Sequence, residues 1–189
     1  MIRVDPWTYV FGAFLILVLP LNWLIAAICA AAFHELCHVI CIYLCGGRIW
    51  NVRIGVGGAS IETSLSGKQK ELFCALAGPA GSLMLLLVWH VFPRLAVCAG
   101  IQGFFNLLPV YPLDGGRALS CILGRMWSGK EEKIGRSVAM IFLLGLLALT
   151  IAGSIIFSLG QVPIFAAMLL ILKVILRKSP CKRSQIRVQ

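Results

Sequence analysis

The chain has 189 residues, of which 60% are hydrophobic and 13% are charged, and its mean hydropathy is +0.94. Soluble domains are about half apolar and about a quarter charged, so this composition excludes an ordinary soluble protein and predicts one membrane-embedded domain over residues 1–189. The net charge of +10 does not indicate a nucleic-acid partner, because no platform of aromatic and basic side chains accompanies it.

Long apolar windows divide the chain. A bilayer crossing needs about 20 apolar residues, or fewer where the bilayer is thin. We therefore expect an all-α polytopic protein with about six transmembrane helices and a small membrane-associated β-hairpin after the second. The expected spans lie near residues 7–23, 23–45, 71–92, 95–112, 136–158 and 162–176. A secretory signal peptide is an alternative for the first window, but its cleavage would cut the second window in half.

The basic residues predict the orientation of these spans. With the N-terminus in the cytoplasm, every lysine and arginine except Arg94 falls on the inner side, as the positive-inside rule requires. We therefore expect a multi-pass protein of the cell membrane, of bacterial origin, with both termini in the cytoplasm. The last residues, 177–189, form a basic cytoplasmic tail.

The second window carries ionisable side chains that are costly in hydrocarbon. His34, Glu35 and His38 form the pattern H-E-x-x-H, and residues four apart share one helix face, so both imidazoles can bind one Zn²⁺. Glu35 lies about 100° around the helix from His34, beside the metal, where a base can take a proton from water. The pattern predicts a catalytic zinc site with Glu35 as its base.

The segment after this window, residues 46–63, alternates β-branched residues and contains Gly55, Gly57 and Gly58. This pattern favours a β-hairpin over a helix. An exposed edge strand of such a hairpin can hold a substrate peptide in an extended form. A plain surface hairpin is the alternative interpretation.

A third zinc ligand is expected from the segment Phe104–Gly116. Pro109 and Pro112 should break the fourth helix there, and irregular backbone at membrane depth persists only where it is buried or lines a watery cavity. Asp114 follows these prolines at the inner end of the span, and we expect it to be the third ligand. As an alternative, Asp114 caps the helix that begins near Gly115 or lies in an Asp-Gly turn. Asn106 is expected to position a substrate peptide, or else to tie two helices together.

The chain contains eight cysteines and no C-x-x-C pair. Cys41 and Cys45 continue the helical stripe of His34 and His38, but Cys41 lies about 10 Å along the helix from His34, too far for one ion to bridge. We therefore interpret the cysteines as small, polarizable packing residues.

Two motifs in this order resemble those of the site-2 protease family of intramembrane zinc metalloproteases. They are His34-Glu35-Leu36-Cys37-His38 and, as N-x-x-P-x-x-x-L-D-G, the run from Asn106 to Gly115. The segment Cys74–Met84 also resembles the family's G-P-x-x-N element, although Ser82 stands at the asparagine position. The resemblance covers about residues 25–120, within a catalytic core of about 23–120.

The resemblance implies His34, His38 and Asp114 as ligands of one Zn²⁺ and Glu35 as the catalytic carboxylate. It implies hydrolysis of a peptide bond in a membrane-embedded or membrane-associated protein near the cytoplasmic face. Six spans with a site near the cytoplasm resemble the branch of the family that contains stage IV sporulation protein FB. This likeness implies a pro-sigma factor as substrate. We expect neither a CBS nor a PDZ domain in this chain. A regulatory membrane partner is left open. A metal transporter or a non-catalytic zinc-binding membrane protein is the alternative function.

Overall fold

The computed structural model describes residues 2–4, 6–55, 58–65, 67–111, 113–127 and 129–157. They form two compact units, Met1–Gly135 and a second unit that begins at Arg136. The first unit contains three strands and five helices, and α6 begins at its end and continues into the second unit. The helices are α1 (Pro6–Val18), α2 (Leu21–Leu44), α3 (Lys68–Met84), α4 (Pro93–Asn106), α5 (Asp114–Met126) and α6 (Glu131–Phe157).

Three helical segments within the described residues are long and apolar enough to cross a membrane: Leu21–Leu44, Lys68–Val88 and Lys133–Ala152. The second of these is α3 continued by a 3-10 turn, Leu85–Val88. This protein is therefore a membrane protein, as its composition predicts.

Helices α1 and α4 are shorter than the spans predicted for them, residues 7–23 and 95–112. Helix α1 has 13 residues and α4 has 14, so each rises only about 20 Å, less than the roughly 30 Å of a hydrocarbon core. Prolines explain why both end early, because Pro20 follows the end of α1 at Val18 and Pro109 follows the end of α4 at Asn106. The count of six spans stays a prediction, and the window 162–176 and the tail 177–189 lie outside the described residues.

The three strands form one sheet in the order β1-β2-β3. Strand β2 (Ile49–Gly55) pairs antiparallel with β3 (Gly58–Thr63), and β1 (Ile2–Val4) pairs parallel with β2. Strand β1 could not be predicted from the sequence, since three residues carry no detectable periodicity. Because β2 is paired on both sides, an edge for substrate must belong to β3 or β1. That such an edge holds substrate, and that the sheet lies at the membrane, stay predictions.

The core of the first unit consists of α2, α3, α4 and α5. Helix α2 packs against α3 and α4, and α3 packs against α4 and α5. Small residues line these contacts, among them Ala26 and Ala30 of α2, Ala99 of α4 and Gly78 of α3. Small side chains let helix backbones approach closely in a membrane protein, and this close packing brings the polar residues of four helices together.

Candidate metal centre

Helix α2 places both histidines of the H-E-x-x-H pattern on its buried face. Ala26, Ala30, His34, His38 and Ile42 are buried at intervals of four residues, which is the spacing of one face of an α-helix. His34 is only 2% exposed and His38 7%. Two imidazoles at this depth need polar partners, and those partners come from α3 and α5.

Asp114 is the first residue of α5 and is also buried, with 8% exposure. Its Oδ2 lies 3.1 Å from His34 Nε2 and 3.1 Å from His38 Nε2. The two Nε2 atoms are 3.2 Å apart. The three donor atoms thus form a small triangle from residues that are 80 and 76 positions apart in the chain.

Asp114 does not cap α5. The N-cap residue of this helix is Leu113, and no side-chain capping hydrogen bond is made there. The capping alternative for Asp114 therefore does not describe this structure, because its Oδ2 points at the two histidines. Its other oxygen, Oδ1, lies 3.8 Å from Nη1 of Arg117, one helical turn later.

The second nitrogen of each imidazole has its own partner on α3. Nδ1 of His34 lies 2.8 Å from Ser82 Oγ, and Nδ1 of His38 lies 2.7 Å from the carbonyl oxygen of Cys74. A carbonyl oxygen only accepts, so His38 Nδ1 must carry the proton, and its Nε2 keeps a lone pair for a metal. Partners of this kind fix the orientation of metal-binding histidines.

Glycine at position 78 makes room for the two imidazoles. A Cβ atom at Gly78 would lie 2.6 Å from Cε1 of His38 and 2.7 Å from Nε2 of His34. Only a residue without a side chain fits against both rings. Helix α3 therefore supplies a cradle for the histidine pair as well as the partners of their outer nitrogens.

Two further glycines set the position of Asp114. A Cβ atom at Gly115 would lie 2.6 Å from the carbonyl oxygen of Leu108, and one at Gly116 would lie 2.7 Å from the carbonyl oxygen of Val110. The start of α5 is thus packed directly on the backbone of the preceding turn. As predicted, α4 ends before Pro109, at Asn106.

Glu35 and Asn106 are the two other site residues that the sequence predicts. Glu35 is half-buried on α2, next to His34 in the chain. The side-chain Nδ2 of Asn106, at the end of α4, lies 3.4 Å from His34 Nε2. The structure thus brings Asn106 to the centre together with His34, His38 and Asp114, whereas the roles of all these residues stay predictions.

The donor set fits one zinc ion. Tetrahedral zinc with ligands at about 2.0–2.2 Å requires its donor atoms to lie about 3.3 Å apart, close to the observed 3.1 and 3.2 Å. Two neutral imidazoles and one carboxylate leave a fourth position open, as catalytic zinc sites do. The residues that could hold a metal ion here are His34, His38 and Asp114.

Sequence reasoning missed several supporting residues of this centre. The hydrogen bond to Cys74 uses a backbone oxygen, so no residue type at position 74 could have revealed it. Arg117 is one of 17 lysine and arginine residues in the chain, so its residue type gave no signal. Ser82 alone carried a signal, because it stands at the asparagine position of the G-P-x-x-N element that begins at Gly78.

Known proteins resemble this chain in both sequence and fold. Residues 73–149 match the family model for Peptidase family M50. Zinc metalloprotease MJ0392 of Methanocaldococcus jannaschii is 31% identical over 143 residues, which are 65% of this chain and 42% of that protein. The chain thus spans less than half the length of this curated relative.

A solved structure also has a similar fold. The Site-2 Protease from Methanocaldococcus jannaschii superposes with a TM-score of 0.63 at 22% sequence identity, over 90% of this chain and 87% of that chain. At this level of identity the likeness is one of fold.

Proposed function

We propose that this chain, whose residues 73–149 match the model of peptidase family M50, is a zinc-dependent endopeptidase that acts within or beside the membrane. Its substrate would be a membrane-embedded or membrane-associated protein, cut near the cytoplasmic face. The observation that carries the proposal is the buried triangle of His34 Nε2, His38 Nε2 and Asp114 Oδ2, with edges of 3.1 to 3.2 Å. Few other functions require such a set inside an apolar helix bundle.

Zinc is the cofactor of this family, and His34, His38 and Asp114 are the residues that would hold it. When bound, zinc polarises the carbonyl of the scissile peptide and lowers the pKa of a water molecule towards about 7. Ser82 and the Cys74 carbonyl would keep the two imidazoles in the tautomer and orientation that this binding requires.

Glu35 is the proposed general base. It follows His34 directly, so its carboxylate lies beside the metal position rather than in the ligand stripe. From there it would take a proton from the attacking water and give one to the departing amine. Asn106 would donate a hydrogen bond from Nδ2 to the substrate backbone next to the histidine pair, which its 3.4 Å separation from His34 Nε2 supports.

The substitution Glu35→Gln tests this function. Because it removes the base and none of the three ligands, we expect zinc content to stay at one ion per chain while cleavage falls by about a thousandfold or more. Zinc would be measured by mass spectrometry of the purified full chain. Cleavage would be followed by gel analysis of a tagged membrane-associated pro-sigma factor and of an unrelated transmembrane protein.

The same experiment separates the rival functions. A metal transporter or a non-catalytic zinc-binding protein would show no cleavage that depends on Glu35, and that result would end the proposal. Cleavage of the pro-sigma factor alone would support a role in sporulation, whereas cleavage of only the unrelated protein would exclude it.

We also propose six spans with both termini in the cytoplasm, supported by the placement of the basic residues. The turn between the 3-10 turn and α4 would then lie outside, and the turn that contains Gly129 would lie inside. An epitope tag inserted before Val91 should bind antibody in intact spheroplasts, and a tag inserted at Gly129 only after permeabilisation. The reverse pattern would contradict this orientation.

A further inference from the structure

A second group of metal-binding side chains lies next to the histidine centre. Cys41 of α2, Cys45 directly after the end of α2 and Cys74 of α3 bring their Sγ atoms within 4.8 Å of one another. Cys74 is buried and the other two are partly buried. All three cysteines are free thiols in the structure. We refer to them as the thiol cluster.

The thiol cluster continues the alignment that builds the histidine centre. Cys41 lies three residues after His38, and Cys45 lies four residues after Cys41, so both continue the face that carries the histidines. On α3, Cys74 precedes Gly78 by one helical turn, and Gly78 is the residue packed against the two imidazoles. The interface between α2 and α3 therefore carries nitrogen ligands at one level and sulfur ligands at the next.

The spacing of the three sulfur atoms suits one shared cation. With metal–sulfur bonds of about 2.3 Å, three sulfurs around a trigonal ion lie about 4.0 Å apart. The observed sulfur–sulfur distances are at most 4.8 Å. A change in a cysteine side-chain torsion angle moves a sulfur atom by more than the difference between 4.8 Å and about 4.0 Å. Cys41 and Cys45 are four residues apart, at the end of α2. This is also the spacing of His34 and His38, and it places two side chains on one helix face.

The number and type of these ligands indicate which ion. Among the described residues, the cluster contains three sulfur donors and no nitrogen or carboxylate ligand. Thiolates are soft ligands that favour copper(I) and zinc, but structural zinc takes four ligands. We propose that Cys41, Cys45 and Cys74 form a three-coordinate binding site for copper(I), distinct from the centre formed by His34, His38 and Asp114.

A basic residue near the cluster favours this site. Lys70 Nζ donates a 2.9 Å hydrogen bond to the carbonyl oxygen of Cys45. Its charge lies beside the end of α2, where a complex of three thiolates and one monovalent cation carries excess negative charge. Nearby lysine and arginine residues stabilise thiolates in this way.

Copper(I) binding to the full-length chain tests the proposal. The protein would be purified in detergent, loaded with zinc, kept reduced, and titrated with copper(I) against a chromophoric copper(I) chelator. We expect one tightly bound copper per chain, with only sulfur neighbours in its X-ray absorption spectrum and with zinc still bound. Cys41, Cys45 and Cys74 should become protected from alkylation, as read by peptide mapping.

Matched serine variants assign the binding to the cluster. In Cys41→Ser/Cys45→Ser the copper affinity should fall by about a hundredfold or more, because only one sulfur ligand remains. In Cys29→Ser/Cys98→Ser, which changes two cysteines outside the cluster on α2 and α4, the copper affinity should stay unchanged. Retained zinc in both variants would show that the α2–α3 interface is still folded.

Three outcomes would overturn the proposal. The first is equal copper affinity in the cluster variant and in wild type. The second is copper with nitrogen or oxygen neighbours that displaces zinc, which would place it on the histidines. The third is a loss of two mass units with a disulfide between cluster cysteines and no bound copper. None of these outcomes bears on the dependence of peptide cleavage on Glu35, so the two proposals fail separately.

Discussion

Two parts of the molecule supply the proposed zinc ligands in different ways. Helix α2 carries His34 and His38 on a regular helix of 24 residues, so the helical repeat alone aligns them. Asp114 follows an irregular segment that starts where α4 ends at Asn106, and no local repeat sets its position. Secondary structure therefore sets the relative positions of His34 and His38, whereas packing sets the position of Asp114.

The two parts also differ in how their positions are held. The histidines are held through hydrogen bonds to a side chain and a backbone carbonyl of α3, and such bonds tolerate small shifts. Asp114 is held by glycines whose backbone lies directly on the Leu108 and Val110 carbonyl groups. Changes to the glycines at the start of α5 should therefore affect the folded state, whereas changes to the hydrogen-bond partners of the histidines on α3 should affect metal affinity.

The largest effect is expected from Asp114→Ala, which removes the one ligand that α2 does not provide. We expect zinc affinity to fall by about a thousandfold or more and peptide cleavage to become undetectable, because two histidines alone do not complete a zinc site. Zinc content would be measured after dialysis against a chelator of known affinity. Glu71→Ala, which removes an exposed carboxylate of α3, serves as the matched control. Full zinc content in Asp114→Ala would show that another group is the third ligand.

A smaller effect, on stability, is expected from Gly115→Ala. The added methyl group would meet the backbone oxygens of Leu107 and Leu108, which cannot move without displacing the whole turn, so we expect a loss of about 1–3 kcal/mol. Thermal unfolding in detergent would report it. In Gly145→Ala no described atom lies within 4 Å of the new Cβ, and alanine should stabilise α6 by up to about 1 kcal/mol. Equal melting temperatures for the two variants would contradict the role assigned to the α4–α5 segment.

The smallest effect is expected from Ser82→Ala, which removes the partner of His34 Nδ1. We expect zinc affinity to fall by about 10–100-fold, with the fold unchanged because a buried serine becomes a slightly smaller residue. Cys74→Ala should leave zinc affinity unchanged, since His38 Nδ1 donates to the backbone oxygen at position 74. Chelator competition measures both variants. A loss of zinc in Cys74→Ala with none in Ser82→Ala would reverse the assignment of these partners.

Much of the site could be predicted because its signals are local or chemically rare. The H-E-x-x-H spacing places two proposed ligands within one helix, and Asp114 is the sole acidic residue between Glu71 and Glu131, so few other residues could complete the set. The break before Pro109 follows from the missing backbone donor of proline. These features depend on a few residues that are close together in sequence.

Other features could not be predicted because they depend on where separate segments meet. In the sequence, Cys41 and Cys45 continue the helical stripe of the histidines, and this pattern indicates packing. Cys74 lies 33 residues after Cys41, and only its approach in the folded chain creates a cluster of three thiols. Strand β1 was missed for the same reason, since three residues form a strand only when β2 is there to pair with them.

The sequence by itself determined the membrane environment, the paired histidines and the break that precedes Asp114, because composition, helical period and proline geometry act within a few turns of chain. Only the tertiary structure decided which atoms orient the histidines, how closely α5 packs on the turn before it, and which cysteines meet. Those outcomes depend on the close approach of helices through glycine and alanine, and contacts between residues 36 to 80 positions apart are set by the packing of the whole bundle.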